Sequence, residues 1–385
     1  MKSFLSNKLT LALMPRIVVE PVHHSLNEEL KRILRENTPD GSIRMRYERE
    51  PDFMDGSGVM GTSIHMAYAK DLDKNQPVGT AIRAIKPCFI HQKEQVMGYL
   101  SSLRIDKSYR GSYALIKLFK YLRRVHEQSD CKWDILMLTE GNLQAENLFL
   151  SHRAGLPKAY PLGRFFTFAI GLKRRIKIEG NDQIEIRKLK KNELENWFDF
   201  LTRTAPLNRS LFPAYKAAHM GSGTALLKGL GPDDIYIACE NNQIIGTLSA
   251  WDQNAFKQYY IDGYSAAMAA LRGAINGYAW LSGKPNLPRA GQMLKSIFLA
   301  TVCIEGDRKE VFDMLLRKLI SDLTNKHIYH SLTAGFHERD PLIPVVKKYP
   351  HIIYTSKAWL VSWEEVDELV NDLNKSKLYF ELGAL

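Results

Sequence analysis

Apolar residues recur along this chain with two different periods. Between Gln95 and Asp106 they crowd into a strand-like run, Val96-Met-Gly-Tyr-Leu100 followed by Leu103 and Ile105. From Leu115 the spacing changes to Leu115, Leu118, Phe119, Leu122 and Val125, which is one face of an amphipathic helix. The residues between, Lys107-Ser-Tyr-Arg-Gly-Ser-Tyr113, make a basic turn around a glycine. Such a turn at a helix start leaves several backbone N–H groups pointing the same way, reinforced by the positive end of the helix dipole. Arg110 adds charge, and no carboxylate lies between Lys107 and Val125. The stretch reads as an anion site, although an ordinary strand-to-helix turn would carry the same residues.

The pattern continues on both sides. Ile43–Tyr47, Ser63–Tyr68 and Val78–Ile85 read as strands, the last two joined by the polar turn Lys70 to Gln76. Ile135-Leu-Met-Leu138, inside Asp134–Glu140, is a short apolar run suited to a buried strand. Gly141-Asn142 opens a helix to about Arg153, and Phe165–Ile170 is another strand. After Gly180-Asn-Asp182 the sequence restarts. Ile184–Leu189 matches Ile43–Tyr47 as an opening strand, and Asn192–Thr204 is a helix. Asp234–Glu240 and Gln243–Ala250 form a hairpin about Asn241-Asn242. Strand Ser296–Ile304, helix Arg308–Thr324 and strands Ile328–Ala334 and Ile352–Trp363 complete the set, with residues 265–295 as an inserted helix and loop. This self-similarity predicts two tandem copies, residues 1–175 and 176–385.

The turn resembles the core motif of the GNAT acyltransferase superfamily, Gln/Arg-x-x-Gly-x-Gly/Ala between the fourth strand and the third helix. Ser108-Tyr-Arg-Gly111-Ser-Tyr113 keeps the central Arg-Gly, and Leu103-Arg-Ile105 is the usual end of that strand. Ser108 replaces Gln/Arg, and Tyr113 replaces a small residue, so its ring either crowds a diphosphate or points away. Asn142, Ala145, Gly155 and Leu156 loosely match the family's Asn-x-x-Ala…Gly-Phe segment, and Glu48-Arg-Glu-Pro-Asp-Phe53 resembles a pattern from a subgroup of unassigned substrate.

Over residues 40–170 the resemblance implies an α/β (α+β) fold of two tandem GNAT-like domains, each a mixed, mostly antiparallel twisted sheet flanked by helices. It implies an N-acyltransferase, most simply an acetyltransferase, taking acetyl-CoA or another acyl-CoA and an amine of a small molecule or peptide. The implied cofactor-binding residues are Leu103, Arg104, Ile105, Arg110, Gly111, Ser112, Tyr113, Ala114, Leu115 and Asn142. Tandem GNAT-like proteins also include long-chain acyltransferases and aminoacyl-tRNA-dependent enzymes, and a non-catalytic acyl-CoA sensor is a further reading.

In this family the fourth strand usually carries a β-bulge whose freed N–H polarises the thioester. Here Val96, Gly98 and Leu100 share one parity and Leu103 and Ile105 the other, which one extra residue near Ser101-Ser102 would account for, although a strand buried on both faces would show the same slip without a bulge. The family's frequent tyrosine acid is missing, because the region after the fifth strand offers Phe149 and Ser151. Tyr99 is the catalytic candidate in its place, with Tyr113 second. Glu50 and Asp52 are the candidate bases, although Glu-Pro-Asp is also a helix-start signal. His65 and His91 read as structural, and Ser102 has no triad context. In the second copy, Glu305-Gly-Asp-Arg-Lys-Glu310 places carboxylates where a diphosphate would sit, and Asp307 and Glu310 have capping-box spacing. Cofactor binding is therefore expected in the first copy alone.

The net charge is +11 over 385 residues. Coenzyme A carries three phosphates, and the one tight basic cluster, Lys173-Arg-Arg-Ile-Lys177, lacks interleaved aromatic residues, so a solvated linker is expected and nucleic acid is not. The four cysteines have neither metal nor disulfide spacing, and no metal is expected. Without a run of about 20 apolar residues or a leader pattern in Met1–Pro15, a cytoplasmic protein with no membrane span is expected.

Overall fold

The computed structural model describes residues 15–38, 41–151, 153, 155–173, 176, 183–221 and 225–385. Most of the basic cluster 173–177, the restart turn 180–182 and the N-terminal residues 1–14 lie outside the described residues.

The first half of the chain runs β1 (Ile17–Pro21), α1 (Asn27–Glu36), β2 (Ile43–Glu48), β3 (Ser63–Asp71), β4 (Gln76–Ile90), β5 (Lys93–Ile105), α2 (Ala114–Glu127), β6 (Asp134–Thr139), α3 (Leu143–Leu150) and β7 (Lys158–Gly171). The second half begins with β8 (Ile184–Lys188), α4 (Leu194–Asn208), the two-residue strands β9 (Met220–Gly221) and β10 (Leu227–Lys228), β11 (Ile235–Glu240), β12 (Gln243–Trp251) and β13 (Gln258–Tyr264). It continues with α5 (Ala266–Ser282), β14 (Ser296–Ile304), α6 (Lys309–Lys326), β15 (Ser331–His337), α7 (Ile343–Val346), β16 (His351–Ser362) and α8 (Asp367–Lys375).

Twelve of these strands form one sheet, ordered β1-β3-β4-β5-β6-β16-β7-β15-β14-β12-β11-β8. Read inward from its two edges, the sheet is the same. Each half contributes five strands in matching order, and each then receives the last strand of the other half. β16 lies between β6 and β7, and β7 lies between β16 and β15. Within this sheet only β5–β6 and β14–β15 pair in parallel. β7 and β16 run to 14 and 12 residues, and β16 pairs with β7 along its whole length.

Two expectations need correction. The sheet opens with Ile17–Pro21, paired to β3, and not with Ile43–Tyr47. Ile43–Glu48 leaves the sheet and pairs with β13 of the second half, forming a two-stranded ribbon that ties the halves together. The true counterparts are β1 with β8 and α1 with α4. The inserted helix and loop of 265–295 is present as α5, which leaves Leu271, Tyr278 and Trp280 exposed.

Apolar side chains pack on both faces of the first-half sheet. One face is covered by Leu30, Ile33 and Leu34 of α1, and the other by Leu118, Phe119 and Leu122 of α2, the positions the helical spacing picked out. Among the described residues, no helix is long and apolar enough to cross a membrane.

Candidate active site

β5 and β6 pair over Gly98–Leu100 against Asp134–Leu136 only. β5 runs on to Ile105 and β6 to Thr139, so the two strands part beyond Leu100 and leave an opening in the sheet. At the same point β5 bulges. Ser101 faces Ile82 and Arg104 faces Thr80, so Ala81 alone opposes both Ser102 and Leu103. Ser102 takes a left-handed backbone, φ 51°. The phase slip in the sequence is this bulge, and a bulge leaves one residue of the strand without a ladder partner.

The turn that follows leads straight to a helix start. Residues 107–109 make one 3-10 turn, Gly111 adopts φ 85°, and α2 begins at Ala114. A Cβ on Gly111 would meet no protein atom within 4 Å. Its glycine is required by the backbone angle and not by crowding from the protein. Tyr113, the residue before α2, is 52% exposed. Ser112 Oγ accepts the Ala114 N–H at 3.2 Å, and Arg110 is exposed. Leu103, Arg104 and Ile105 lie past the bulge along the opening. Asn142 caps α3, its side-chain oxygen accepting the Ala145 N–H at 3.2 Å.

The second half repeats the bulge and the opening, but fills them. β14 and β15 pair over Ser296–Phe298, and Leu248 opposes both Thr301 and Val302, with Thr301 at φ 50°. The Thr301 N–H donates to Glu381 Oε2 at 2.8 Å, and the Val302 N–H to the Tyr379 hydroxyl at 3.3 Å. The segment after α8 thus occupies the second opening with its own side chains. No described side chain caps the β5 bulge in this way. The expected Asp307–Glu310 capping box does not form. Gly306 and Asp307 are both left-handed, at φ 58° and 54°, which turns the Asp307 carboxylate onto Arg209 at 2.8 Å and Lys377 at 2.7 Å.

Of the catalytic candidates, Tyr99 lies three residues before the bulged Ser102, in the strand that borders the opening. It is 6% exposed, and burial raises its phenol pKa, so the hydroxyl stays protonated. The Lys86 Nζ sits 5.8 Å from the centre of its ring. Glu50 and Asp52 have other partners. Glu50 accepts from Lys31 at 2.7 Å, and Asp52 accepts the N–H groups of Met54 and Asp55 at 2.9 and 2.8 Å, closing the turn ahead of the 3-10 stretch Asp55–Met60 rather than starting an α-helix. A phenol that the sequence reading missed comes from the exchanged strand. Tyr354 of β16 shares a 2.6 Å hydrogen bond with Thr139, at the end of β6. No local signal could have placed it there, because the two residues meet only through the exchange.

Lys86 and Lys257 are buried near this face. Burial pushes the Lys86 ammonium down to about 8 and Lys257 to about 7, with Glu381 opposing both shifts. The unfolded chain therefore holds these protons more tightly than the folded one. For Lys86, stability is reduced below about pH 8 and recovers as pH climbs from there toward 10.5, the value of an exposed lysine. Lys86→Met is expected to raise stability at pH 7 by about 1–4 kcal/mol and to flatten that pH dependence. Urea unfolding between pH 7 and 10 checks this, and a less stable variant at pH 7 would show that the ammonium is well solvated in the fold.

No family model and no curated protein matches the sequence. Solved structures do match the architecture. Saccharomyces cerevisiae N-myristoyltransferase with bound myristoyl-CoA superposes with a TM-score of 0.54 at 11% identity, over 93% of this chain and 81% of that one. A GCN5-related N-acetyltransferase from Anabaena variabilis gives 0.50 at 12% identity, over 91% and 73% of the two chains. One from Sphaerobacter thermophilus gives 0.50 at 9%, over 91% and 96%. At these identities the likeness is one of architecture. The chain has the GNAT superfamily fold.

Proposed function

We propose that the protein is an N-acyltransferase that binds one acyl-CoA in the first half and transfers its acyl group to an amine of a small molecule or peptide. The observation that carries this reading is the contrast between the two openings. The first keeps its bulge uncapped beside a basic, carboxylate-free helix start, and the second is plugged by Glu381 and Tyr379. The proposed division at residues 175/176 then separates a donor-binding unit from one whose last strand and C-terminal segment complete the site.

In this reading Arg110 and the first turn of α2 receive the diphosphate. The bulge N–H holds the thioester carbonyl, stabilising the oxyanion as it develops. The amine nitrogen bonds to the carbonyl carbon, the C–S bond breaks, and coenzyme A leaves as a thiol after taking up the proton the amine has lost. Tyr99 is the proposed hydrogen-bond donor to the departing sulfur, with Tyr354 on the other side of the opening. Acetyl-CoA is the simplest donor. The chain length accepted is set by the depth of the opening and is measured by thiol release across a series of acyl-CoAs.

Arg110→Glu is expected to weaken acyl-CoA binding by about 1–3 kcal/mol, through a lost charge-assisted contact and added repulsion. Asp307→Ala removes a partner of the buried Arg209, so it should lower stability while leaving acyl-CoA affinity unchanged. Calorimetry on both variants tests the assignment, and the opposite ranking of affinities would move the site to the second half.

A further inference from the structure

Beside the first opening the charge is one-sided. Arg49 is fully buried, and a buried guanidinium keeps its charge, so it calls for a counter-ion. Its partners are neutral. Nε donates to the Tyr47 hydroxyl at 2.8 Å, one terminal nitrogen to Ser57 Oγ, and the other to the Met60 sulfur at 3.5 Å. The same sulfur receives the Ser101 hydroxyl at 3.5 Å, which places Arg49 one side chain away from the bulge. Arg104, half-buried just past the bulge, donates only to the adjacent Leu103 carbonyl, at 3.1 Å. It feels Tyr47, Tyr99, Arg49 and Arg110. Lys86 Nζ is buried with no hydrogen-bond partner, and Lys257 Nζ donates to the Gly383 carbonyl at 3.1 Å and to an oxygen of Leu385, the last residue of the sequence, at 2.7 Å.

None of these four cations is ion-paired to a described Asp or Glu side chain. The carboxylate nearest in charge, Glu381, faces the second bulge, where its Oε2 also receives the Tyr379 hydroxyl at 2.8 Å. Arg104 at the opening thus lies near the buried Arg49 and near Tyr99 and Tyr47, on which the Tyr259 ring stacks at 5.1 Å.

We propose that the acceptor supplies the missing anion: the amine substrate carries a carboxylate, bound by Arg104 at the β5–β6 opening, with the buried charge of Arg49 behind it adding to the attraction. This deepens the acyl-transfer reading and rests on it. A site with this excess of positive charge repels a polyamine or a lysine side chain. A carboxylate on the acceptor offsets that repulsion and forms charge-assisted hydrogen bonds with guanidinium forks. The same positive field lowers the pKa of the acceptor's ammonium, favouring the free amine that attacks. No dedicated carboxylate base is then required, which fits the engagement of Glu50 and Asp52 elsewhere. The acceptor class is an amino acid or short peptide with both groups near each other, and not a simple amine.

The test uses the full chain with acetyl-CoA and follows thiol release with three matched panels: L-amino acids and dipeptides, their carboxamides, and the corresponding decarboxylated amines. Carboxylate acceptors should have a kcat/KM about 10–100-fold above their carboxamides. Arg104→Gln should narrow that difference by raising KM for the carboxylate more than for the carboxamide, and KM for acetyl-CoA, measured in parallel, separates a loss of donor binding from a loss of acceptor binding. Equal rates for carboxylates and carboxamides, or a preference for the amines, overturn the inference. If no panel gives release, acyl transfer from this donor fails, and melting temperature decides the binding claim separately. A rise with the carboxylate panel that is absent with the carboxamides and lost in Arg104→Gln supports it, and any other pattern overturns it.

Discussion

Tyr99→Phe is expected to lower kcat by about 10²–10⁴-fold while leaving acyl-CoA affinity nearly unchanged. The substitution keeps the ring, which packs in the core beneath the opening, and removes only the hydroxyl. Burial holds that hydroxyl in its protonated form, so its proton is available to donate. Its place on the strand that bulges three residues later puts it beside the thioester in the proposed pose. Tyr354→Phe is the control on the other wall, because its hydroxyl already engages Thr139. Steady-state turnover with a saturating donor separates the two. An unchanged kcat in Tyr99→Phe with a large fall in Tyr354→Phe would transfer the donor role to the exchanged strand.

Asp134→Ala is expected to cost about 3–5 kcal/mol of stability. Asp134 and Arg83 are both fully buried and paired at 2.7 Å, and Arg83 also donates to the Cys131 carbonyl at 2.7 Å. Removing the carboxylate strands a guanidinium in the sheet interior. The pair also guards the register that creates the opening. Asp134 lies opposite Gly98, where a Cβ would overlap its carboxylate, so only glycine lets β5 and β6 close there before they part. Asp134→Asn keeps the shape and one acceptor, and should lose less. Urea unfolding measures both. A loss below 1 kcal/mol in Asp134→Ala would mean that Arg83 finds another partner.

What the sequence made legible is what local periodicity encodes. The helix face of α2, the bulge in β5 and the hairpin about Asn241-Asn242 follow from spacing within a dozen residues, and the structure has them where the spacing put them. The left-handed angles at Asn241 and Asn242, φ 51° and 62°, are those such a turn requires. Ile17-Val-Val-Glu-Pro21 was missed because its three consecutive apolar residues show no alternation, whereas Ile184-Glu-Ile-Arg-Lys at the other edge does. The ribbon of β2 with β13 and the exchange of β7 and β16 were illegible for a different reason. Each segment reads correctly as a strand, but partner choice across some 200 residues leaves no trace in either segment's period.

The site shows the same division. Gly111 and Arg110 were visible, as was the acidic counterpart at 305–310. Asp307 was misread as a cap because the spacing D-x-x-E does not reveal the left-handed backbone that redirects it. Asp52 settled into a turn, since two backbone N–H groups lay within immediate reach. Arg49, Lys86 and Lys257 were invisible as a group, because they come from three separate segments and meet only in the folded core.

Hydrogen exchange of the backbone amides, with and without a non-hydrolysable acyl-CoA thioether, tests the central claim most directly. The donor is expected to bind as one molecule per chain and to protect residues 101–116, the bulge and the start of α2, while exchange at 301–312 stays unchanged. Protection at 301–312, or no change at 101–116 with saturating ligand, would contradict it.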